Sequence, residues 1–198
     1  MRKLVAAWVF SAMALALPPT AKAATILDFS SALYSAANGS GSFSTIDQGV
    51  GVNLQSSPFL STLNHLPQGI GVNFPFFPDD TEVGAFETLT VNFSSGQFVH
   101  SISLRLLFGG RDEQEQGIYS INGGAFVPFF ANSDSGDLTV LIDQPEVNQI
   151  RFQAPRLVDD YALNSMDLTA VPESASMILL GTGLLFGARR RYKMKRQQ

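Results

Sequence analysis

No cysteine occurs among the 198 residues, so disulfide staples, thiolate nucleophiles and cysteine-ligated metals are excluded. Tryptophan appears once, at Trp8, and histidine twice, at His65 and His100. Residues 24–170 contain no lysine, and their only basic side chains are Arg105, Arg111, Arg151 and Arg156. Sixteen carboxylates stand against those four arginines and leave this stretch near −12, although the whole chain is only −4. That balance excludes nucleic acid as a partner, because neutralising phosphates takes clustered cations. Neither Gly-x-Ser-x-Gly nor His-Glu-x-x-His is present, so neither the hydrolase nucleophile elbow nor a zinc-protease helix is encoded. Catalysis is not expected.

The remaining basic residues lie at the two ends, and they give those ends a meaning. Arg2 and Lys3 precede the uncharged apolar run Leu4–Leu17, then Pro18-Pro19 and the small-residue pattern Ala21-Lys22-Ala23. This is the three-part secretory signal: a positive start, an apolar helix for the Sec translocon and a signal-peptidase site. Residues 1–23 are therefore set apart as a signal peptide, and 24–170 as the exported body. Residues 171–198 form a tail: the lead Val171-Pro172-Glu173-Ser174, an apolar stretch 175–188 and a basic end 189–196. Fourteen helical residues rise about 21 Å against about 30 Å of hydrocarbon, so the stretch inserts with help from snorkelling arginines. The positive-inside rule then keeps the basic end in the cytoplasm and the body outside.

At these residues the tail resembles the PEP-CTERM sorting domain of Gram-negative bacteria. Val171, Pro172 and Glu173 match its motif, Ser174 stands where the family has a second proline, and Arg189, Arg190 and Arg191 match its basic end. The resemblance implies recognition by an exosortase, transient anchoring in the inner membrane through a C-terminal transmembrane helix, and cleavage near the motif. Delivery to the cell surface or an extracellular matrix rich in exopolysaccharide (a biofilm) would follow.

The body reads as β throughout. Leu89, Val91 and Phe93 alternate with polar residues, as do Ile102, Leu104 and Leu106, then Leu138, Val140 and Ile142, then Ile150 and Phe152. Period-2 stripes broken by polar turns predict half-buried antiparallel strands. Strands are also expected at Thr25–Phe29, Ser42–Ile46 and Val50–Leu54, and Asn122-Gly123-Gly124 predicts a hairpin between Gly117–Ile121 and Ala125–Phe130. A phase change between Leu163 and Met166 predicts a bulge in the last strand. Ser30–Ala37 suits a short helix, while Pro67–Thr81, rich in proline and glycine, reads as a long loop carrying Phe74, Phe76 and Phe77. His100 shares the alternation phase of Ile102 and is expected in the core. The whole predicts an all-β fold of eight or nine strands, a two-sheet antiparallel, jelly-roll-like β-sandwich. Gly69-Ile70-Gly71-Val72, Asp79-Asp80-Thr81-Glu82-Val83 and Asp159-Asp160-Tyr161 resemble segments of small sandwich domains that precede such sorting tails, which implies the fold but no activity.

One constellation suggests chemistry. Asp79, Asp80, Glu82 and Glu87 sit before one strand, and Asp159 and Asp160 before the last. Oxygen donors converging from two loops are what Ca²⁺ takes. The expected role is a non-catalytic surface or matrix protein. The alternatives are a Ca²⁺-assisted carbohydrate-binding module and a secreted hydrolase using two carboxylates across a cleft. The aromatics of the body are chiefly phenylalanine, with Tyr34, Tyr119 and Tyr161 the only tyrosines.

Overall fold

The computed structural model describes residues 24–76, 82–109 and 114–170. The signal segment, the sorting motif and its apolar stretch fall outside the described residues, as do Asp79, Asp80 and Phe77. Among the described residues no helix is long and apolar enough to cross a membrane.

The described chain forms ten strands. They are β1 (Thr25–Asp28), β2 (Ser42–Asp47), β3 (Val50–Ser57), β4 (Thr62–Leu66), β5 (Gly69–Asn73), β6 (Thr88–Arg105), β7 (Gln116–Ile121), β8 (Val127–Phe130), β9 (Leu138–Gln153) and β10 (Ala162–Ala170). They build one sheet in the order β4-β5-β10-β6-β9-β7-β8, with β1 added to β10 and the β2-β3 hairpin added to β6. Every ladder is antiparallel. A 3-10 helix, Ala32–Ala37, occupies the predicted short helical stretch and buries Tyr34.

The sheet is curled rather than stacked from two separate ones. Strand β6 pairs with β3 through Thr88–Phe93 and with β10 through Gln97–Arg105. Strand β9 follows it through both halves. What the alternation suggested as four strands is thus two long ones, each bent at a corner. On β9 the corner holds Pro145, flanked by Asp143 and Glu146 at φ 47° and 56°. Proline offers no N–H to the ladder, and the register shifts there. On β6 the corner is Ser94-Ser95-Gly96, where a Cβ on Gly96 would lie 3.3 Å from the Glu146 Cα. The two leaves enclose one continuous core that includes Leu89, Val91, Ile102, Leu104, Ile150 and Phe152.

Two expectations are corrected. The alternation along β6 slips between Val99 and Ser101, so Val99 and Ile102 both point inward. His100 therefore faces out, 39% exposed, with its ring on Phe98 at 4.6 Å and Nε2 2.8 Å from the Thr169 hydroxyl. The segment read as a loop from Pro67 instead continues the β4-β5 hairpin as far as Asn73. Gly69 permits close approach: at its φ of 144°, a Cβ would stand 2.1 Å from the Leu163 carbonyl oxygen of β10. The predicted bulge is present between Leu163 and Ser165, as is the Asn122-Gly123 turn, at φ 49° and 73°.

Gly69→Ala is expected to destabilise the fold by about 3 kcal/mol, lowering Tm by roughly 10 °C, because backbone must move to make room. Gly41→Ala, whose new Cβ meets only the Ser61 carbonyl at 3.8 Å, is expected to stay within about 0.5 kcal/mol. Thermal melts of the two variants check the contrast.

Candidate functional site

The loop before β6 and the loop before β10 meet, as convergence of the acidic residues required. The Val83 amide donates to the Tyr161 carbonyl at 2.8 Å, and Ala85 bridges Ala154 in parallel. Between these segments opens a cleft of about 410 Å³. Ala85, Phe86 and Glu87 form one wall and residues 153–157 the other. That volume lies within the range of roughly 300–1,000 Å³ usual for small-ligand sites.

The first wall is a tight turn closed by its own carboxylate. The Gly84 amide donates to Glu87 Oε2 at 2.7 Å, and the Glu87 amide donates to the Gly84 carbonyl at 3.2 Å. Glu87 is 2% exposed, whereas its neighbour Phe86 is 71% exposed. Phe86 also has φ 67°, a left-handed backbone that costs a residue with a side chain about 1–2 kcal/mol. An aromatic ring is thus held in water by a strained turn, an arrangement that clusters at binding sites.

The second wall is anchored from beneath. Asp159 is 1% exposed, and its two oxygens accept from Arg156 Nε at 2.9 Å and Nη2 at 2.6 Å in a fork. The same carboxylate accepts from the Arg156 amide at 3.1 Å and the Gln116 amide at 3.0 Å. Arg156 Nη2 also donates to the Gln114 carbonyl at 2.5 Å. The Arg156 side chain, 42% exposed, therefore has its guanidinium fixed in plane where it lines the cleft. Gln153 also lines the cleft, and its amide is oriented by donation to Thr88 Oγ1 at 2.8 Å. Beneath lies Tyr161, whose hydroxyl donates to the Gln153 carbonyl at 3.0 Å. Burial, and secondarily the Asp159 charge, push the Tyr161 phenol well above its ordinary value, so it remains a donor. Burial and then Asp47, which accepts from its hydroxyl at 3.1 Å, push Tyr34 the same way.

Of the six carboxylates singled out in the sequence, Glu82, Glu87, Asp159 and Asp160 fall among the described residues. Asp159 is engaged by Arg156, and Glu87 closes its own turn. Asp160 lies toward Glu115, whose carboxyl is raised chiefly by burial and further by Asp160 and Asp159. Among the described residues, no three histidine, aspartate or glutamate side chains group closely enough to hold a metal ion. Phe76 is 72% exposed and meets half-buried Phe74 edge-on at 5.1 Å. The sequence had not singled out Phe86, Gln153 or Arg156. Only Arg156 carried a signal, as a rare cation three residues before an aspartate.

No protein-family model matches the chain, and no curated protein matches it. Among solved structures it is similar to an exo-β-1,3-galactanase from Phanerochaete chrysosporium bound to galactose, at 16% identity and TM-score 0.40, over 74% of this chain and 29% of the galactanase. It is also similar to a family 35 carbohydrate-binding module from Clostridium thermocellum, at 13% identity and TM-score 0.38, over 74% of this chain and 98% of the module. A third is the family 32 carbohydrate-binding module of C. perfringens NanJ in complex with galactose, at 16% identity and TM-score 0.36, over 65% of this chain and 99% of the module. These likenesses are loose, and nothing about this chain's ligand follows from them.

The two buried tyrosines give the fold an alkaline limit. Their folded-state pKa values are raised above the ordinary 10.0, so their contribution is complete below pH 10 and is lost as pH climbs toward the folded values. Tm is expected to fall steeply above pH 10, and Tyr161→Phe to flatten that fall. Melts across pH 8–12 compare the slopes.

Proposed function

We propose that the chain is an exported, non-catalytic carbohydrate-binding protein and that the cleft between Phe86 and Arg156 receives the glycan. The observation that carries this is Phe86 itself, exposed on a strained turn opposite a guanidinium locked by a buried carboxylate. A pyranose has an apolar face of C–H groups and a rim of hydroxyls. An open aromatic ring suits the first, and fixed planar donors and an amide suit the second. Among the described lining residues only Glu87 carries a carboxylate, and it is buried in its turn. Hydrolysis with two opposed carboxylates needs a partner across roughly 5–10 Å, so the lining favours binding.

Export rests on the residue pattern of the ends. The signal segment would carry the body across the inner membrane, and the Val171-Pro172-Glu173 tail would hold it there for an exosortase. The jelly-roll-like sandwich would then act at the cell surface or in the matrix, where exopolysaccharide is the glycan at hand.

A glycan array with the purified full-length chain, followed by calorimetry on the hits, tests the cleft. Phe86→Ala is expected to weaken binding roughly three- to tenfold. Phe86→Gly should lose the same affinity yet raise Tm by about 3 °C, because glycine relieves the left-handed backbone. Unaltered affinity in both variants would place the ligand elsewhere.

Calcium gives a separate check. Because Arg156 and Gln116 already engage Asp159, melting the chain in excess Ca²⁺ and then in chelator is expected to give the same Tm. A rise of several degrees would mean a cation bound to the folded state, and would assign the acidic loops a role in recognition.

A further inference from the structure

The leaf formed by β2, β3, Thr88–Phe93 of β6 and Gln149–Gln153 of β9 turns rows of amides and hydroxyls to the outside, with one arginine among them. Across four strands the side chains join in sequence. Asn53 Nδ2 donates to Ser44 Oγ at 2.9 Å, Asn92 Nδ2 to Asn53 Oδ1 at 3.1 Å, and Gln149 Nε2 to Asn92 Oδ1 at 2.9 Å. The next row is Gln55, Thr90 and Arg151, in register across β3, β6 and β9. The row after that is Thr88 and Gln153, and Gln153 is also a wall of the cleft. The cleft therefore runs out onto this face. From Gln153 to Gln149 the track extends about 13 Å along β9, long enough for more than one sugar ring.

Arg151 is the exception on this face. Arg105 and Arg156 have carboxylate partners, whereas Arg151 has none among the described residues. Its guanidinium carbon rests over the Phe126 ring at 5.3 Å, a contact that satisfies no N–H. Its Nε is buried without a hydrogen-bond partner. In a body near −12, the outward positions of the three rows from Gln149 to Gln153 carry no carboxylate, and the acidic residues of β9, Asp143 and Glu146, lie at its corner. Asp47, the acidic residue of β2, is turned inward to the Tyr34 hydroxyl. A cation without a counter-ion, on a face cleared of negative charge, is complementary to an anion.

We infer that the glycan received by the Phe86 cleft is an acidic polysaccharide, laid along the amide face with a carboxylate or sulfate group on Arg151. This inference rests on the cleft reading and assigns its substrate class. The flanking amides and hydroxyls hydrogen-bond the neutral part of the chain, and Arg151 selects for charge.

Calorimetry of the full-length chain with alginate oligomers, and with the same oligomers after reduction of their carboxyl groups to alcohols, tests it. The acidic oligomers are expected to bind roughly tenfold more tightly than the reduced ones, as one charge-assisted contact gives. Added salt should erode that difference. Arg151→Gln should bring the acidic oligomers down to the level of the reduced ones and leave the reduced ones unchanged. Gln55→Glu, an exposed substitution on the same row, should likewise abolish the preference for the acidic oligomers without touching the buried packing. Equal affinity for both oligomers, or a preference that survives both substitutions, overturns the assignment of Arg151. Phe86-sensitive binding in that case leaves the cleft reading standing. Failure of both oligomers to bind at millimolar concentration overturns both.

Discussion

Two bent strands hold this molecule together. Because β6 and β9 run through both leaves, neither leaf can close without the other, and the core between them is continuous. In a chain without cysteine, this shared pair does what covalent cross-links do in many exported domains. The corner is made by proline and by left-handed backbone at Asp143 and Glu146, residues that would disrupt a straight central strand. Here they let a single sheet curl around one hydrophobic interior.

The cleft depends on that curl. Bringing the end of β9 alongside the start of β6 sets Gln153 against Thr88 and carries the following loop past the turn at Phe86. Glu87 and Asp159 then act from below. One closes the turn that exposes the ring, and the other flattens and fixes the arginine opposite. Both carboxylates serve as internal struts, and the surface chemistry is left to a phenylalanine, an amide and a guanidinium.

Much of this architecture was legible in the residues because burial imposes a period of two. The stripes at Leu89–Phe93 and Ile150–Phe152, the Asn122-Gly123 turn and the bulge after Leu163 all follow from side-chain alternation and turn chemistry. What escaped detection was any feature set by tertiary closeness. Gly69 and Gly71 look like loop residues until β10 is seen to need the space above Gly69. His100 sits in phase with Ile102 until a slip at Val99 reverses its side. The approach of the two acidic loops could be anticipated from the sandwich. The use of Asp159 by Arg156 could not, because a carboxylate reads alike whether it will meet a metal ion or a guanidinium. Phe86 had no distinguishing mark at all, since its meaning lies in a backbone angle.

The chain of amides from Ser44 to Gln149 has a consequence for folding fidelity. Hydrophobic alternation resists a one-residue slip of neighbouring strands, which would turn the apolar side to water, but it barely resists a slip of two. A two-residue slip anywhere among β2, β3, β6 and β9 would break the succession of side-chain hydrogen bonds between them. The polar row thus works as a vernier on the outside of the sheet, separating the correct register from the near-miss that the core alone would accept.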